Sequence, residues 1–478
     1  MSSAKPPTCH ELRRDSLGVG AITFMVISAA APLTGVAGAV PIAFLMGNGA
    51  GVPATFLLMT LVMLAFSVGY VAMSRHVRNA GAFYAYAARG LGGCWGGAVA
   101  FMALVSYNAL QFGLIGLLGG IAAGVFGGFG LHLPWWAWSL MAVLLVGVLG
   151  YRQVDLSAKV LVLLVALEYA VVLIVDFAIL GRGGAHGLAL NLFDPSALLS
   201  GSLTASVLFC LGSFMGFEAT TIYAEEARDP DVTIPRATYL SVLLIGGFFV
   251  FSTWLMIAGV GADQLLPTLK ALADPSSLFF DLAGRYVGGP MPAIAGLLLV
   301  SSLFAALSAF HNYIARYSYV AGREGLLPAV VGTTHACHQS PHVGSVAQTA
   351  GALVVLAVFA GLGLDPVLNL FTWVSQVGVL GVLGMMALTS ASVVAFFRRR
   401  GEGGLGTRVL PAVSGAVMAA LFVYVFLHFA DLTGTEGGVL GAVLPALIPL
   451  SGLLGWGVAR RLRARDPSAY SRMGVSRV

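Results

Sequence analysis

The chain of 478 residues is 58% hydrophobic and 9% charged, with a mean hydropathy of +0.91 and a net charge of +5. A soluble domain carries about 25% charged residues, so this chain cannot clothe itself in a water-compatible surface. Its apolar residues form continuous runs, and runs of about 20 residues cross a bilayer as helices, because only helices or closed barrels satisfy their own backbone in lipid. The predicted fold class is therefore all-α integral membrane.

About twelve runs follow one another, over 19–46, 51–73, 93–126, 134–150, 156–181, 199–226, 237–261, 291–319, 344–363, 367–397, 409–429 and 437–459. The first begins after a polar tail, 1–18, and is too long for a cleaved signal peptide. With that tail inside, the external loops hold only Arg182, Lys270 and Arg285 of the 25 Lys and Arg residues. This asymmetry places both termini in the cytoplasm and reads the net charge as topology, not nucleic-acid binding. The expected organisation is a ten-helix core over 19–397, two trailing helices over 398–459 and a basic cytoplasmic tail over 460–478. Cys9, Cys94, Cys210 and Cys337 are scattered and imply no disulfide framework.

Two runs are interrupted alike. The first reads Ser28-Ala29-Ala30-Ala31-Pro32-Leu33-Thr34, then Gly35 and Gly38; the sixth reads Gly212-Ser213-Phe214-Met215-Gly216-Phe217-Glu218. They open two consecutive five-helix groups, 19–181 and 199–397. Broken helices at matching places point to a transporter's binding site, since freed backbone groups are tolerated only beside a cavity or ligand. Half-helix N-termini favour an anion and freed carbonyls a cation, so a zwitterion matches both. The plainer reading is a Pro32 kink and close packing at the glycines.

Other polar residues inside the runs follow in chain order. In the third, Tyr107 and Gln111 share a helix face, with Asn108 between; they reach a substrate side chain or simply join helices. In the fifth, Glu168 lies about 20 Å along the axis from Asp155. A carboxylate at that depth must be paired, hydrated or protonated. Three readings stay open: a proton-coupling group, a protonated structural hydrogen-bond partner, or a cation ligand with Ser301, Ser302 or Ser308. Asp176, nearer the outer end, reads as solvated. Glu218 follows the sixth-run interruption and either bonds exposed backbone or gates with pH. Segment 263–286 reads as an outer lid helix. His311 and Asn312 line an internal exit or pack by hydrogen bonds. His335, Cys337, His338 and His342 match no trusted zinc spacing, and Glu225, Glu226, Asp229 and Asp231 read as a surface cluster at the end of the sixth run. No phosphate-binding loop, nucleophile elbow or metalloprotease motif occurs.

Three stretches resemble the amino acid–polyamine–organocation permease family. They are the sixth run with its exit, Ala224-Glu225-Glu226-Ala227-Arg228-Asp229-Pro230 and Ile234-Pro235-Arg236-Ala237; Ala80-Gly81-Ala82-Phe83-Tyr84-Ala85-Tyr86 with Gly90; and Ala315-Arg316-Tyr317-Ser318-Tyr319 through Arg323-Glu324-Gly325-Leu326-Leu327-Pro328. The resemblance implies the five-plus-five inverted-repeat fold of the leucine-transporter type, with an amino acid or related amine held between broken helices. By position it implies that backbone groups of Ser28, Ala29, Ala30, Ala31, Pro32, Leu33 and Thr34 take a substrate carboxylate. Carbonyls near Phe214, Met215, Gly216 and Phe217, with others in the first run, would take the amine; Ser213 belongs to the same substrate-binding stretch, and Phe217 or Phe214 would close over the substrate as an aromatic gate. The chain departs from the family in its Ala-Ala-Ala-Pro interruption, where a GSG-like triplet is common, and in Glu168, where many members carry a lysine.

The sequence thus leads to the expectation of a multi-pass inner-membrane carrier importing an amino acid or small amine by alternating access, without cofactor or metal. Proton symport through Glu168 and Glu218 is the first expectation; exchange and sodium symport are the alternatives. A membrane enzyme lacks a clustered Asp/His set at one face, and a channel lacks a continuous polar pore. The expected partners are substrate, proton and bilayer, and the last two runs offer a candidate homodimer surface.

Overall fold

A computed structural model describes residues 17–77, 83–152, 158–188, 195–222, 227–335, 340–434 and 438–474. Cys9, Ala80 to Ala82, Asp155, Ala224 to Glu226, Cys337 and His338 lie outside the described residues. Within them every regular element is a helix, apart from one isolated bridge between Leu17 and Ala227.

In chain order the helices are α1 (Val19–Ala29), α2 (Val40–Met46), α3 (Val52–Ser74), α4 (Phe83–Gly90), α5 (Gly93–Gly127), α6 (Trp135–Tyr151), α7 (Ala158–Gly181) and α8 (Leu203–Gly212). They continue as α9 (Pro230–Val260), α10 (Leu265–Ala271), α11 (Leu278–Tyr286), α12 (Met291–Arg323) and α13 (His342–Gly361). The last are α14 (Gln376–Arg399), α15 (Leu410–Leu427), α16 (Val439–Arg465) and α17 (Pro467–Arg472). Wider π-type turns lead into α2 over Thr34–Ala39 and into α14 over Pro366–Ser375. Among the described residues nine helices are long and apolar enough to span a bilayer, and four apolar helices are shorter.

Each expected run coincides with helix, with shifted ends. The seventh begins at Pro230, not 237, because Pro230 fits the first turn of α9, where a missing N–H costs nothing. The expected lid helix is two helices, α10 and α11. Asp274 and Pro275 divide them, the Asp274 carboxylate accepting from the Ser276 amide at 2.9 Å.

α5 runs through the middle of the bundle and packs against α4, α6, α12, α14, α16 and the turns before α14. α1 and α3 lie along α9. Large side chains face outward on the long helices, Leu61 on α3, Leu163 on α7 and Leu453 on α16 among them. In water so much exposed apolar surface would be an association liability; in lipid it is the matching surface.

Candidate functional site

α1 ends at Ala29, and Ala31 takes a left-handed conformation with φ of 43°. Such a conformation costs an L-residue roughly 1 kcal/mol. Pro32 accounts for the helix stopping here, since a proline disfavours the right-handed helical region at the preceding residue. The chain resumes helix at Pro32. Gly35 sits at the new start, and a Cβ there would come 2.4 Å from the Phe249 ring, which is stacked on Phe56. Only glycine lets this half-helix lie so close to α9.

The sixth-run interruption is less open than the sequence suggests. α8 stops at Gly212, and the amides of Ser213, Phe214, Met215 and Phe217 bond carbonyls three residues back. The segment tightens instead of unwinding freely. Gly216, at φ of 97°, turns the chain where side chains are disfavoured. Glu218 then folds back: one carboxylate oxygen accepts from the Gly216 amide at 3.0 Å and the other from the Tyr107 hydroxyl at 3.4 Å. Its backbone carbonyl accepts from the Tyr70 hydroxyl at 3.0 Å. Glu218 therefore bonds exposed backbone of its own segment.

Both interruptions line one cavity of about 90 Å³. Ala30, Ala31, Thr34 and Gly35 supply one wall, and Gly212, Ser213 and Met215 another. α5, α12 and the region leading into α14 close it with Leu110, Leu114, Phe310, Phe371 and Gln376. No Asp, Glu, Lys, Arg or His is among the lining residues.

Glu168 is buried directly behind the first interruption. The Leu33 amide donates to its carboxylate at 3.4 Å, and the Ser302 side chain lies beside the same group. Thr34 and Ser302 share a hydrogen bond at 3.2 Å. A polar chain thus runs from the cavity wall at Thr34 through Ser302 to Glu168. Ser301 and Ser308 instead donate to the carbonyls of Leu298 and Phe304 on their own helix.

The other expected site residues distribute as follows. Ser28 bonds the Phe24 carbonyl on its own helix. Tyr107 belongs to an aromatic cluster with Phe310, Tyr313 and Tyr317, its hydroxyl committed to Glu218. Gln111 is turned away from the cavity; it accepts from the Gln348 amide and lines a separate pocket of about 10 Å³ with His311. His311 bonds Ser345 at 2.7 Å, so hydrogen-bonded packing describes it. Phe214 and Phe217 are buried outside the cavity lining, Phe217 against Phe66 and Tyr70. Phe209, Phe310 and Phe371 provide the aromatic surface of the cavity instead. Asp176 is fully buried, not solvated, and accepts from the Ser252 hydroxyl of α9 at 2.6 Å. Its place near the helix end gave no sign that α9 covers it. His335 and His342 pack on each other and on Tyr151.

Gln376 escaped the sequence reading. The available signal was an amide inside a long apolar run, where polar groups are costly without a partner.

Similarity to known proteins follows the same geometry. A family model described as amino acid permease matches residues 21–454. The low-affinity putrescine importer PlaP of Escherichia coli K12 is 25% identical over 315 residues, covering 64% of this chain and 67% of the relative. The histidine permease HisP of Lactococcus lactis is 28% identical over 217 residues, covering 42% and 44%. A crystal structure of a manganese transporter of Eremococcus coleocola shares the fold, with a TM-score of 0.57 over 97% of this chain and 98% of that one, at 12% identity.

Proposed function

The chain belongs to the amino acid permease family, and from that premise we propose that it is a secondary carrier importing an amino acid or small amine by alternating access, driven by protons. The observation that carries this reading is the single cavity walled by both helix interruptions. Thr34 and Gly35, at the start of the second half-helix, line it, and a helix N-terminus attracts a carboxylate. Gly212, Ser213 and Met215 line the opposite wall, and in this reading backbone carbonyls of that segment take the amine. In this reading the two interrupted helices and α6 cross the membrane with the nine long helices, and both termini face the cytoplasm.

Glu168 is the coupling group. Its carboxylate touches the Leu33 amide and reaches Thr34 through Ser302, so a proton on it changes the hydrogen bonding of the cavity wall. Substrate occupancy and protonation then bias the same half-helix, as coupling requires. The convergence of Glu168, Ser302 and Thr34 oxygens also supports a second reading, a sodium ion in place of the proton.

The test is uptake by purified protein in sodium-free proteoliposomes with an inside-alkaline gradient, across a panel of labelled amino acids and amines. Accumulation abolished by a protonophore is expected. Accumulation only after sodium is added would favour the second reading, and uptake only against internal substrate would make the protein an exchanger.

A further inference from the structure

Among the polar side chains lining the cavity, three hydroxyls already have partners within the protein. Thr34 pairs with Ser302, Ser213 donates to the Phe209 carbonyl at 3.2 Å, and Ser375 donates to the Phe371 carbonyl at 2.5 Å. Gln376 differs. It is 2% exposed, lines the cavity, and its carbonyl oxygen Oε1 is buried with no hydrogen-bond partner among the described residues. A buried polar atom left unsatisfied is destabilising. Because Gln376 lines the cavity, a turn of its side-chain amide would offer this oxygen to a ligand.

We propose that Gln376 reads the substrate side chain, and that the substrate is an amino acid whose compact, uncharged side chain presents an N–H or O–H donor to Gln376 Oε1. This rests on the carrier reading above and narrows it. Charge chemistry supports the narrowing. A substrate with a second ammonium would place it where no carboxylate lines the wall, and a second carboxylate would meet no Lys or Arg. An unpaired buried charge is far costlier than an unpaired amide. The faces of Phe209, Phe310 and Phe371 offer a cation only the weaker attraction of an aromatic ring. Size acts in the same direction, since about 90 Å³ of open volume favours a small side chain over a large one.

Paired competitors of matched shape test this in proteoliposome counterflow: threonine against valine, asparagine against leucine, with putrescine and ornithine as cationic probes. Wild type is expected to prefer the hydrogen-bonding member of at least one pair by ten-fold or more, since a site built around a polar group rejects the analogue that leaves it unpaired. Gln376→Leu is expected to erase or invert that ratio. Gln376→Glu is expected to raise the apparent affinity for ornithine or putrescine relative to wild type, a gain that misfolding cannot produce. Equal use of both members by wild type, an unchanged ratio in Gln376→Leu, or a wild-type preference for the cations would overturn the inference while leaving a working carrier. Transport of no panel member under any gradient would overturn the carrier reading, and the inference with it.

Discussion

The backbone amide of Leu33 donates to the carboxylate of Glu168 at 3.4 Å, across 135 residues of sequence. The donor exists for this bond because Pro32 and Ala31 interrupt the helix just before it. The acceptor is placed by α7, a helix that is otherwise apolar around this position. A shift of the second half-helix therefore alters the surroundings of a buried carboxyl, and a change on that carboxyl acts on the half-helix.

The close approach of Gly35 to Phe249 makes the first interruption intolerant of a side chain. Gly35→Ala is expected to destabilise the protein by about 1–3 kcal/mol, the usual cost of overpacking. Thermal unfolding in detergent reads this as a lowered midpoint, and Phe249→Leu in the same chain is expected to recover part of the loss. An unchanged midpoint in the single variant would mean that the half-helix lies farther from α9.

Glu218 is held by two donors, Gly216 and Tyr107. Glu218→Gln keeps an acceptor for either donor, whereas Glu218→Ala leaves a buried amide unpaired. The expected order of stability is wild type, then Gln, then Ala, with about 1–3 kcal/mol between the first and the last. Tyr107→Phe is expected to cost less, about 1 kcal/mol, because the amide contact remains. Equal midpoints for the Gln and Ala variants would show that the fold-back does not hold the turn.

Asp176 and Ser252 join α7 to α9 at 2.6 Å, and the second carboxylate oxygen of Asp176 is buried without a partner among the described residues. Ser252→Ala should therefore be the more damaging change, at about 1–3 kcal/mol. Asp176→Asn, which removes the ionisable group and keeps an acceptor, is expected to stay within about 1 kcal/mol of wild type. Neither residue lines the cavity, so the substrate preference of both variants is expected to match wild type in counterflow. A changed preference would place this pair in the transport path.

The positions of both interruptions were legible in the sequence because their causes are local. Pro32 acts on Ala31, and Gly216 supplies a backbone conformation that other residues avoid. Glu168 was legible too, as a lone acid in an apolar helix. The direction each side chain takes was not. Gln111 and Tyr107 share a face of α5, yet one meets Gln348 and the other Glu218, because those partners come from α13 and from the sixth-run turn. Phe214 and Phe217 stand beside the interruption in sequence but outside the cavity lining, while Phe310 and Phe371 come from distant helices and line it. Neighbourhood across helices is decided by packing, which a single run does not carry.

The most direct test of coupling at Glu168 compares wild type with Glu168→Gln in the same sodium-free vesicles, measuring gradient-driven accumulation and counterflow of one substrate. The amide can still accept from Leu33, so substrate exchange is expected to survive in the variant while accumulation driven by an inside-alkaline gradient falls to the level seen with a protonophore. Full gradient-driven accumulation by Glu168→Gln would contradict the coupling role and leave Glu168 as a structural acceptor for the Leu33 amide.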